Sequence, residues 1–280
     1  MTVRELQNDI AKRLGESGVL CPENEAEQIL LNASGWDRLH LFTSQRSAAP
    51  DELAAGCEKI VSERLTGRPL QYILGKAYFM GLEFFVDENV LIPRQDTELT
   101  AETAIGFLDE RKGNAKVLDL CTGSGALAVS IKSRFENADV TASDISPKAL
   151  EIAKKNAFDN DCYVTFVLSD LFEKIGGQFD LIVSNPPYIE TDVIKTLQRE
   201  VRDHEPVLAL DGGADGLDLV RKIIADAPAR LAAGGMLLIE IGEGQGALVL
   251  ALAEKQKDLT ACKIVKDLNG LDRMLYCRKA

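Results

Sequence analysis

Hydrophobic residues in the first 65 positions recur with the period of an α-helix. In the first run they are Val3, Leu6, Ile10 and Leu14. The same spacing returns over residues 26–33 and 53–65. Apolar residues three or four positions apart share one face of a helix, and such faces pack against each other. The pattern therefore predicts a small N-terminal bundle of three helices.

The pattern changes after a break at residues 66–71. Aromatic and β-branched residues become frequent there, and they predict a linking β-hairpin over residues 77–92 with its turn at Asp87-Glu88-Asn89. A break of this kind is a plausible domain boundary. We therefore predict a helical domain of residues 1–72 and a larger domain of residues 73–280 that includes the hairpin.

From residue 116 onward, short apolar runs alternate with helical patterns. Runs that predict strands begin at Val117, Val140, Tyr163, Phe179, Met236, Ala261 and Met274. Strands that alternate with helices indicate an α/β domain with a doubly wound, mostly parallel seven-stranded sheet. The strand order of such a sheet reverses beside the first strand, so we expect the fourth strand on its other side.

Polar residues follow the first three of these strands. The segment Asp119-Leu120-Cys121-Thr122-Gly123-Ser124-Gly125 opens a helix, whose free N–H groups and glycines suit close contact with a ligand. It has two glycines rather than three, so a dinucleotide fingerprint is incomplete. Asp144 stands where an acid usually binds a ribose diol, and Asp170 ends the third strand. Each acid alone could be a helix cap, but together they predict a nucleoside-shaped site.

The fourth strand ends in Ser184-Asn185-Pro186-Pro187-Tyr188. Proline lacks the N–H that a central strand needs, so the strand stops at this point. The Asn185 oxygen and the proline carbonyls can accept hydrogen bonds from an NH2 group. An ordinary proline-rich loop is the alternative interpretation. Because the fourth strand is expected beside the first, residues 184–188, the Asn185 corner, are predicted to face residues 121–125, the glycine loop.

Composition excludes several classes of site. The six cysteines are far apart and the chain has only two histidines, which argues against a disulfide framework and a zinc site. The net charge of −12 lowers the odds of a nucleic-acid partner, because such partners favour a basic face. No apolar run is as long as a membrane span, and we expect a cytoplasmic protein.

The motifs resemble those of a known family. The 119–125 segment with Asp144 and Asp170 looks like the S-adenosylmethionine site of class I methyltransferases, which are Rossmann-like, and Asn185-Pro186-Pro187-Tyr188 is similar to the motif of those that methylate planar nitrogens. Five segments resemble the HemK family, the peptide chain release factor glutamine methyltransferases: residues 67–73, 91–98, 185–189, 205–210 and 271–273. The resemblance covers essentially the whole chain, including the helical domain.

The resemblance implies S-adenosylmethionine as cofactor, with S-adenosylhomocysteine as product, and no metal. The residues it implies for cofactor binding are Asp119, Cys121, Thr122, Gly123, Ser124, Gly125, Asp144, Ile145, Asp170, Leu171 and Asn185. The residues it implies for substrate binding are Asn185, Pro186, Pro187, Tyr188 and Arg94, the first four also being catalytic. Cys121 stands where the family often has glycine, and Leu171 where some relatives have tryptophan.

The implied reaction is methylation of the side-chain amide nitrogen, N5, of the glutamine in the Gly-Gly-Gln motif of bacterial release factors, which modulates translation termination. The helical domain and the hairpin would hold this protein substrate, with no stable nucleic-acid or membrane partner. One alternative is a DNA or RNA amino-methyltransferase that uses the same Asn-Pro-Pro-Tyr site on a flipped base. Another is a non-catalytic nucleotide-binding or ribosome-associated module.

Overall fold

A computed structural model describes every residue of the chain except Lys112. The chain divides into two compact units. The first comprises Met1–Gly75 and Arg199–His204, and the second comprises Lys76–Gln198 and Glu205–Ala280. Within this described part of the chain, no helix is long and apolar enough to cross a membrane.

The described residues form eleven α-helices and nine strands. The helices are α1 (Val3–Glu16), α2 (Pro22–Ser34), α3 (Arg38–Thr43), α4 (Asp51–Arg64), α5 (Leu70–Leu74), α6 (Glu98–Asp109), α7 (Ala126–Arg134), α8 (Pro147–Asp159), α9 (Arg199–His204), α10 (Asp218–Arg230) and α11 (Gly246–Glu254). The strands are β1 (Ala77–Phe79), β2 (Leu82–Phe84), β3 (Lys116–Leu120), β4 (Asp139–Asp144), β5 (Thr165–Leu168), β6 (Phe179–Ser184), β7 (Leu231–Glu240), β8 (Leu259–Lys266) and β9 (Asp272–Lys279).

The first unit is helical and has its own apolar core. Helix α1 begins with a capping box, in which Thr2 and Glu5 each bind the backbone N–H of the other. Its predicted apolar stripe is buried, and α2 and α4 supply the facing stripes. The three predicted helices are confirmed. Helices α3 and α5 were not predicted, because five or six residues are too few for an apolar period to show.

A buried arginine joins α9 to the other helices of this unit. The Arg64 side chain is only 6% exposed, and its guanidinium binds Glu25 at 2.7 Å and Glu200 at 2.6 Å. A buried charge needs such partners, because an unpaired one would cost several kcal/mol. The pair with Glu200 ties a segment from late in the sequence to the N-terminal helices.

The β-hairpin is shorter than predicted. Strands β1 and β2 pair from Ala77 with Phe84, and the turn lies at Met80-Gly81, where both residues have positive φ angles of 50° and 78°. The predicted extent to residue 92 is therefore wrong. A turn does lie at the predicted place, where the Val90 N–H donates to the Asp87 carbonyl at 3.2 Å, but it does not join the two strands. The backbone of Phe85 is bound by a side chain from α8 instead of by a neighbouring strand.

The seven-stranded sheet of the second unit has the predicted topology. Its strand order is β5-β4-β3-β6-β7-β9-β8, with β3 to β7 parallel and β9 antiparallel to both neighbours. The order reverses between β3 and β6, where Leu120 and Ser184 are paired in register. The Ser184 hydroxyl donates to the Leu120 carbonyl at 2.9 Å. The residues that follow these two strands therefore emerge at one edge of the sheet.

Asn156 of α8 holds two backbone segments together. Its Oδ1 accepts from the Phe85 N–H at 2.7 Å, and its Nδ2 donates to the carbonyls of Phe85 at 3.0 Å and Ser124 at 2.8 Å. The side chain is fully buried. It therefore connects the chain after β2 to the glycine loop before α7.

We expect Asn156→Ala to lower the free energy of unfolding by roughly 3 kcal/mol, because one buried and two partly buried backbone groups lose their partner. Urea unfolding measures this change. Lys154→Ala, on the exposed face of the same helix, is the control and should change stability by less than about 0.5 kcal/mol. Equal losses in the two variants would show that the Asn156 contacts add little.

Candidate active site

A cavity of about 420 Å³ opens at the carboxyl ends of the parallel strands. Its size is that of a small-molecule site. Predicted site residues that line it are Asp119, Cys121, Thr122, Gly123, Ser124, Asp144, Ile145, Asp170, Leu171, Asn185, Pro187 and Arg94. Predicted residues outside its wall are Gly125, Pro186 and Tyr188. The structure thus gathers most of the predicted residues around one space, and their individual roles stay predictions.

The glycine loop turns sharply at three positions. Cys121, Gly123 and Gly125 have φ angles of 59°, 55° and 84°. Only glycine adopts such angles without strain, so Cys121 is held there by its surroundings. A Cβ on Gly125 would lie 3.1 Å from the Cβ of Ala153, which leaves little room for a side chain. Burial raises the pKa of the Cys121 thiol, which fits a packed, unreactive cysteine.

Asp119 presents an unpartnered oxygen at this loop. Its Oδ2 accepts from the Thr122 hydroxyl at 2.6 Å and from the Ala128 N–H at 3.2 Å, whereas its Oδ1 has no partner among the described residues. Burial raises the pKa of Asp119 to about 7. A buried carboxylate with a free oxygen at a cavity wall favours a cationic ligand, such as the ammonium group of an amino acid.

Asp144 is held by the backbone on both of its oxygens. Oδ2 accepts from the Gly123 N–H at 2.9 Å, and Oδ1 accepts from the Ser146 N–H at 2.8 Å. Burial raises its pKa. Each carboxylate oxygen has a second lone pair, so Asp144 can still accept from a diol. Ile145 beside it is 51% exposed and offers an apolar surface.

The Asn185 corner is fixed from behind. The Asn185 NH2 donates to the Thr97 hydroxyl oxygen at 3.1 Å, which leaves its Oδ1 as the acceptor for another group. The Tyr188 hydroxyl donates to Oε1 of Glu240 at 3.3 Å, and the Gln245 NH2 donates to the Tyr188 carbonyl at 2.9 Å. Tyr188 is thereby anchored by Glu240 and Gln245.

Thr97, Glu240 and Gln245 were missed in the sequence. Thr97 directly precedes a helix, where a threonine often acts as a cap, but its side chain makes no capping bond to α6. Glu240 is the last residue of β7 and lies at the same edge as the other strand ends. The rule that polar groups at the ends of parallel strands form the site would have found it.

Acidic residues outnumber basic ones around the cavity. The acidic residues that line it are Glu88, Asp119, Asp144, Asp170 and Asp211, and the basic ones are Arg94 and Lys222. Arg94 itself forms an ion pair with Glu205. Such a balance suits a positively charged ligand. Among the described residues, no cluster of three or more His, Cys, Asp or Glu side chains could hold a metal ion.

Comparison with known proteins agrees with this geometry. Family models named PrmC N-terminal domain and Methyltransferase small domain match residues 5–75 and 101–213. The chain is 42% identical to the release factor glutamine methyltransferase of Geobacter sulfurreducens, over 98% of this chain and 95% of that protein. It is 39% identical to the one of Agrobacterium fabrum, over 96% and 94%. The chain belongs to the release factor glutamine methyltransferase family.

A solved methyltransferase structure has the same fold as this chain. The T. thermophilus 16S rRNA N2 G1207 methyltransferase, in complex with AdoMet and guanosine, matches with a TM-score of 0.52 at 19% identity, over 73% of this chain and 50% of that one. The predicted class I methyltransferase fold is confirmed, and so is the prediction of an S-adenosylmethionine-dependent methyltransferase. The free oxygen of Asp119 and the acidic wall fit this cationic cofactor.

We expect Asp119→Asn to stabilise the cofactor-free protein more at pH 8 than at pH 5. A carboxyl group whose pKa is raised by folding contributes stability below its unfolded pKa near 4, and this stability is lost as the pH rises through about 7. The difference in unfolding free energy between the variant and the parent should therefore grow by roughly 1–4 kcal/mol between the two pH values. Urea unfolding at both pH values measures it.

The matched control for this experiment is Asp192→Asn, whose side chain is 97% exposed. Its difference from the parent should be the same at both pH values. Glu240, whose pKa burial also raises to about 7, is present in every variant and cancels in the comparison. A pH-independent effect of Asp119→Asn would contradict the assignment of the raised pKa to Asp119.

Proposed function

We propose that this protein transfers the methyl group of S-adenosylmethionine to N5 of the glutamine in the Gly-Gly-Gln motif of bacterial peptide chain release factors. Its action then modulates translation termination. The observation that carries the proposal is the orientation of Asn185, whose NH2 is bound by Thr97 and whose oxygen is left to accept from a substrate amide beside the glycine loop. The relatives are named as methyltransferases of a release factor glutamine, which supports the proposal.

The cofactor would be held along the strand ends. Oδ1 of Asp119 suits its ammonium group, and Asp144 suits the ribose hydroxyls. Ile145, Asp170 and Leu171 would surround the adenine. S-adenosylmethionine, when bound, supplies a methyl group activated by a positively charged sulfur.

The residues of the corner would prepare the amide nitrogen. An amide nitrogen is a poor nucleophile because its lone pair is delocalised into the carbonyl. The Asn185 oxygen and the Pro186 carbonyl can accept the two N–H hydrogens, which favours a lone pair directed at the methyl group. The nitrogen lone pair would form the new bond to the methyl carbon, the S–CH3 bond would break with its electron pair left on sulfur, and the nitrogen would release one N–H proton to solvent. Positioning of this kind contributes up to about 7–11 kcal/mol.

We also propose that the helical unit and the hairpin hold the release factor. Helix α3 exposes Leu39 and Phe42, at 70% and 74%, and the hairpin exposes Tyr78 at 63%. Large apolar side chains left in water on both elements support contact with a protein. Arg94, which Glu205 holds beside the cavity, would contact the glutamine-bearing segment.

Labelled S-adenosylmethionine tests the proposed substrate. The purified protein should label a release factor and should fail to label the same release factor with its Gly-Gly-Gln glutamine changed to alanine. A pool of DNA and RNA should remain unlabelled. Equal labelling of the alanine variant would refute the glutamine assignment, and labelling of the nucleic acid alone would favour an amino-methyltransferase of bases.

We expect Asn185→Ala to abolish methyl transfer while the Kd for S-adenosylmethionine stays within a few-fold of the parent value. The amide would lose its main acceptor, whereas the glycine loop and Asp144 would remain. Steady-state labelling and isothermal calorimetry measure the two quantities. Asn269→Ala, at an exposed position in the loop before β9, is the control. A parallel collapse of cofactor binding would mean that Asn185 mainly holds the cofactor.

A further inference from the structure

The hydrogen bond behind Asn185 comes from a buried threonine that its own helix does not use. Thr97 ends a 3-10 turn over Gln95–Thr97 and precedes α6, and it is 4% exposed. Its hydroxyl makes no capping bond to that helix. Instead, its oxygen accepts from the Asn185 NH2 at 3.1 Å. The hydroxyl hydrogen of Thr97 therefore remains to be donated elsewhere.

A buried carboxylate lies next to this threonine. Glu240 is 1% exposed, and its Oε1 accepts from the Tyr188 hydroxyl. Its Oε2 is buried and makes no close hydrogen bond within the described part of the chain. Burial raises the pKa of Glu240 to about 7, while hydrogen bonding to the hydroxyls of Thr97 and Tyr188 opposes the rise. The Tyr188 hydroxyl is therefore hydrogen-bonded to this carboxylate, and the Thr97 hydroxyl lies near enough to lower its pKa.

The identity of these groups gives the hydrogen bonds a direction. Above about pH 7 Glu240 is ionised and only accepts, so the threonine beside it donates its single hydrogen to the carboxylate. The threonine oxygen can then only accept from Asn185. Without the carboxylate, the hydroxyl could turn its hydrogen toward Asn185, and the amide could flip. A flipped Asn185 would present an NH2 group to the substrate NH2, and two donors cannot bind each other.

A role in stability alone does not account for a carboxylate at this place. Burial of an ionised group costs several kcal/mol unless it is paired. Arg273 lowers the pKa of Glu240 from a distance, but its close ion pairs are with Asp267 at 2.9 Å and Asp96 at 3.3 Å. Within the described residues, Glu240 thus has hydroxyl neighbours and no cation at ion-pair distance.

We propose that Thr97 and Glu240 are positioning residues that fix which end of the Asn185 amide faces the substrate nitrogen. The proposal rests on the function given above and deepens it. It assigns the orientation of the Asn185 side-chain amide to two residues outside the Asn-Pro-Pro-Tyr motif. Neither residue needs to contact the substrate. They act through Asn185, and Glu240 also holds Tyr188.

Three substitutions test the proposal in the full chain with a release factor as substrate. Thr97→Val keeps the shape and removes the hydroxyl, so we expect kcat to fall about 10²-fold. The KM for the release factor and the Kd for S-adenosylmethionine should stay within about three-fold. Thr97→Ser restores a hydroxyl and should retain kcat within about three-fold. Glu240→Gln removes the charge and replaces one of the two acceptor oxygens by an NH2 donor, and it should behave like Thr97→Val.

The double variant Thr97→Val with Glu240→Gln should be no more than about three-fold slower than the slower single variant, because residues that act as one unit are not additive. Thermal unfolding of each variant serves as the folding control. The proposal is overturned if Thr97→Val keeps the parent kcat, if Thr97→Ser loses as much as Thr97→Val, or if the two losses multiply in the double variant.

A second measurement does not depend on the substrate. The side-chain NH2 of Asn185 gives its own NMR signals, and its hydrogen exchange should be slow in the parent and in Thr97→Ser but at least about ten-fold faster in Thr97→Val. Equal exchange in all three would overturn the positioning role. If the parent does not methylate the release factor, the proposed function fails, and the NH2 exchange still decides the role of Thr97.

Discussion

The parallel pairing of β3 with β6 is the constraint on which the site depends. Leu120 and Ser184 are in register, and the Ser184 hydroxyl adds a side-chain bond to the backbone pairing. Residues that are 64 positions apart in sequence thereby leave the sheet side by side. If either strand slipped by one residue, the glycine loop and the Asn185 corner would no longer lie side by side. Such a slip would also turn every side chain of that strand to the opposite face of the sheet.

Two buried carboxylates lie at this edge of the sheet, and both lower the stability of the fold when they are ionised. Asp119 and Glu240 each have a pKa raised to about 7 by burial, and each has one oxygen without a partner among the described residues. Groups of this kind cluster at functional sites, where an incomplete environment is completed by ligand or by an ordered neighbour. The two acids differ in position: Asp119 lines the cavity, whereas Glu240 does not.

The parts of the site that were predictable are those that local sequence encodes. Apolar runs mark where strands end, so the glycine loop, Asp144 and Asn185 could be placed from the sequence together with the rule for strand order. The contact between Thr97 and Asn185 spans 88 positions, and a local explanation, helix capping, was available for Thr97. No pattern of neighbouring residues reveals a hydrogen bond between positions so far apart in the sequence.

The extent of the hairpin was predicted wrongly for the same reason, a contact between residues that are far apart in sequence. Asp87-Glu88-Asn89 has the composition of a turn, and the apolar residues on both sides suggested strands. The turn that joins the two strands is at Met80-Gly81, and the backbone of Phe85 directly after β2 is bound by Asn156, which lies 71 positions away. Backbone groups that find a side-chain partner have no need of a neighbouring strand.

The ion pairs of Arg64 have a consequence for how the chain is made. One of the two acids that hold this buried guanidinium, Glu200, belongs to a segment that returns to the helical unit after most of the parallel sheet has been synthesised. The N-terminal helices leave the ribosome first, with Glu25 alone beside Arg64. The helical unit is therefore completed only after residue 204 has emerged. The N-terminal helices, which are synthesised first, cannot finish packing until α9 has been synthesised.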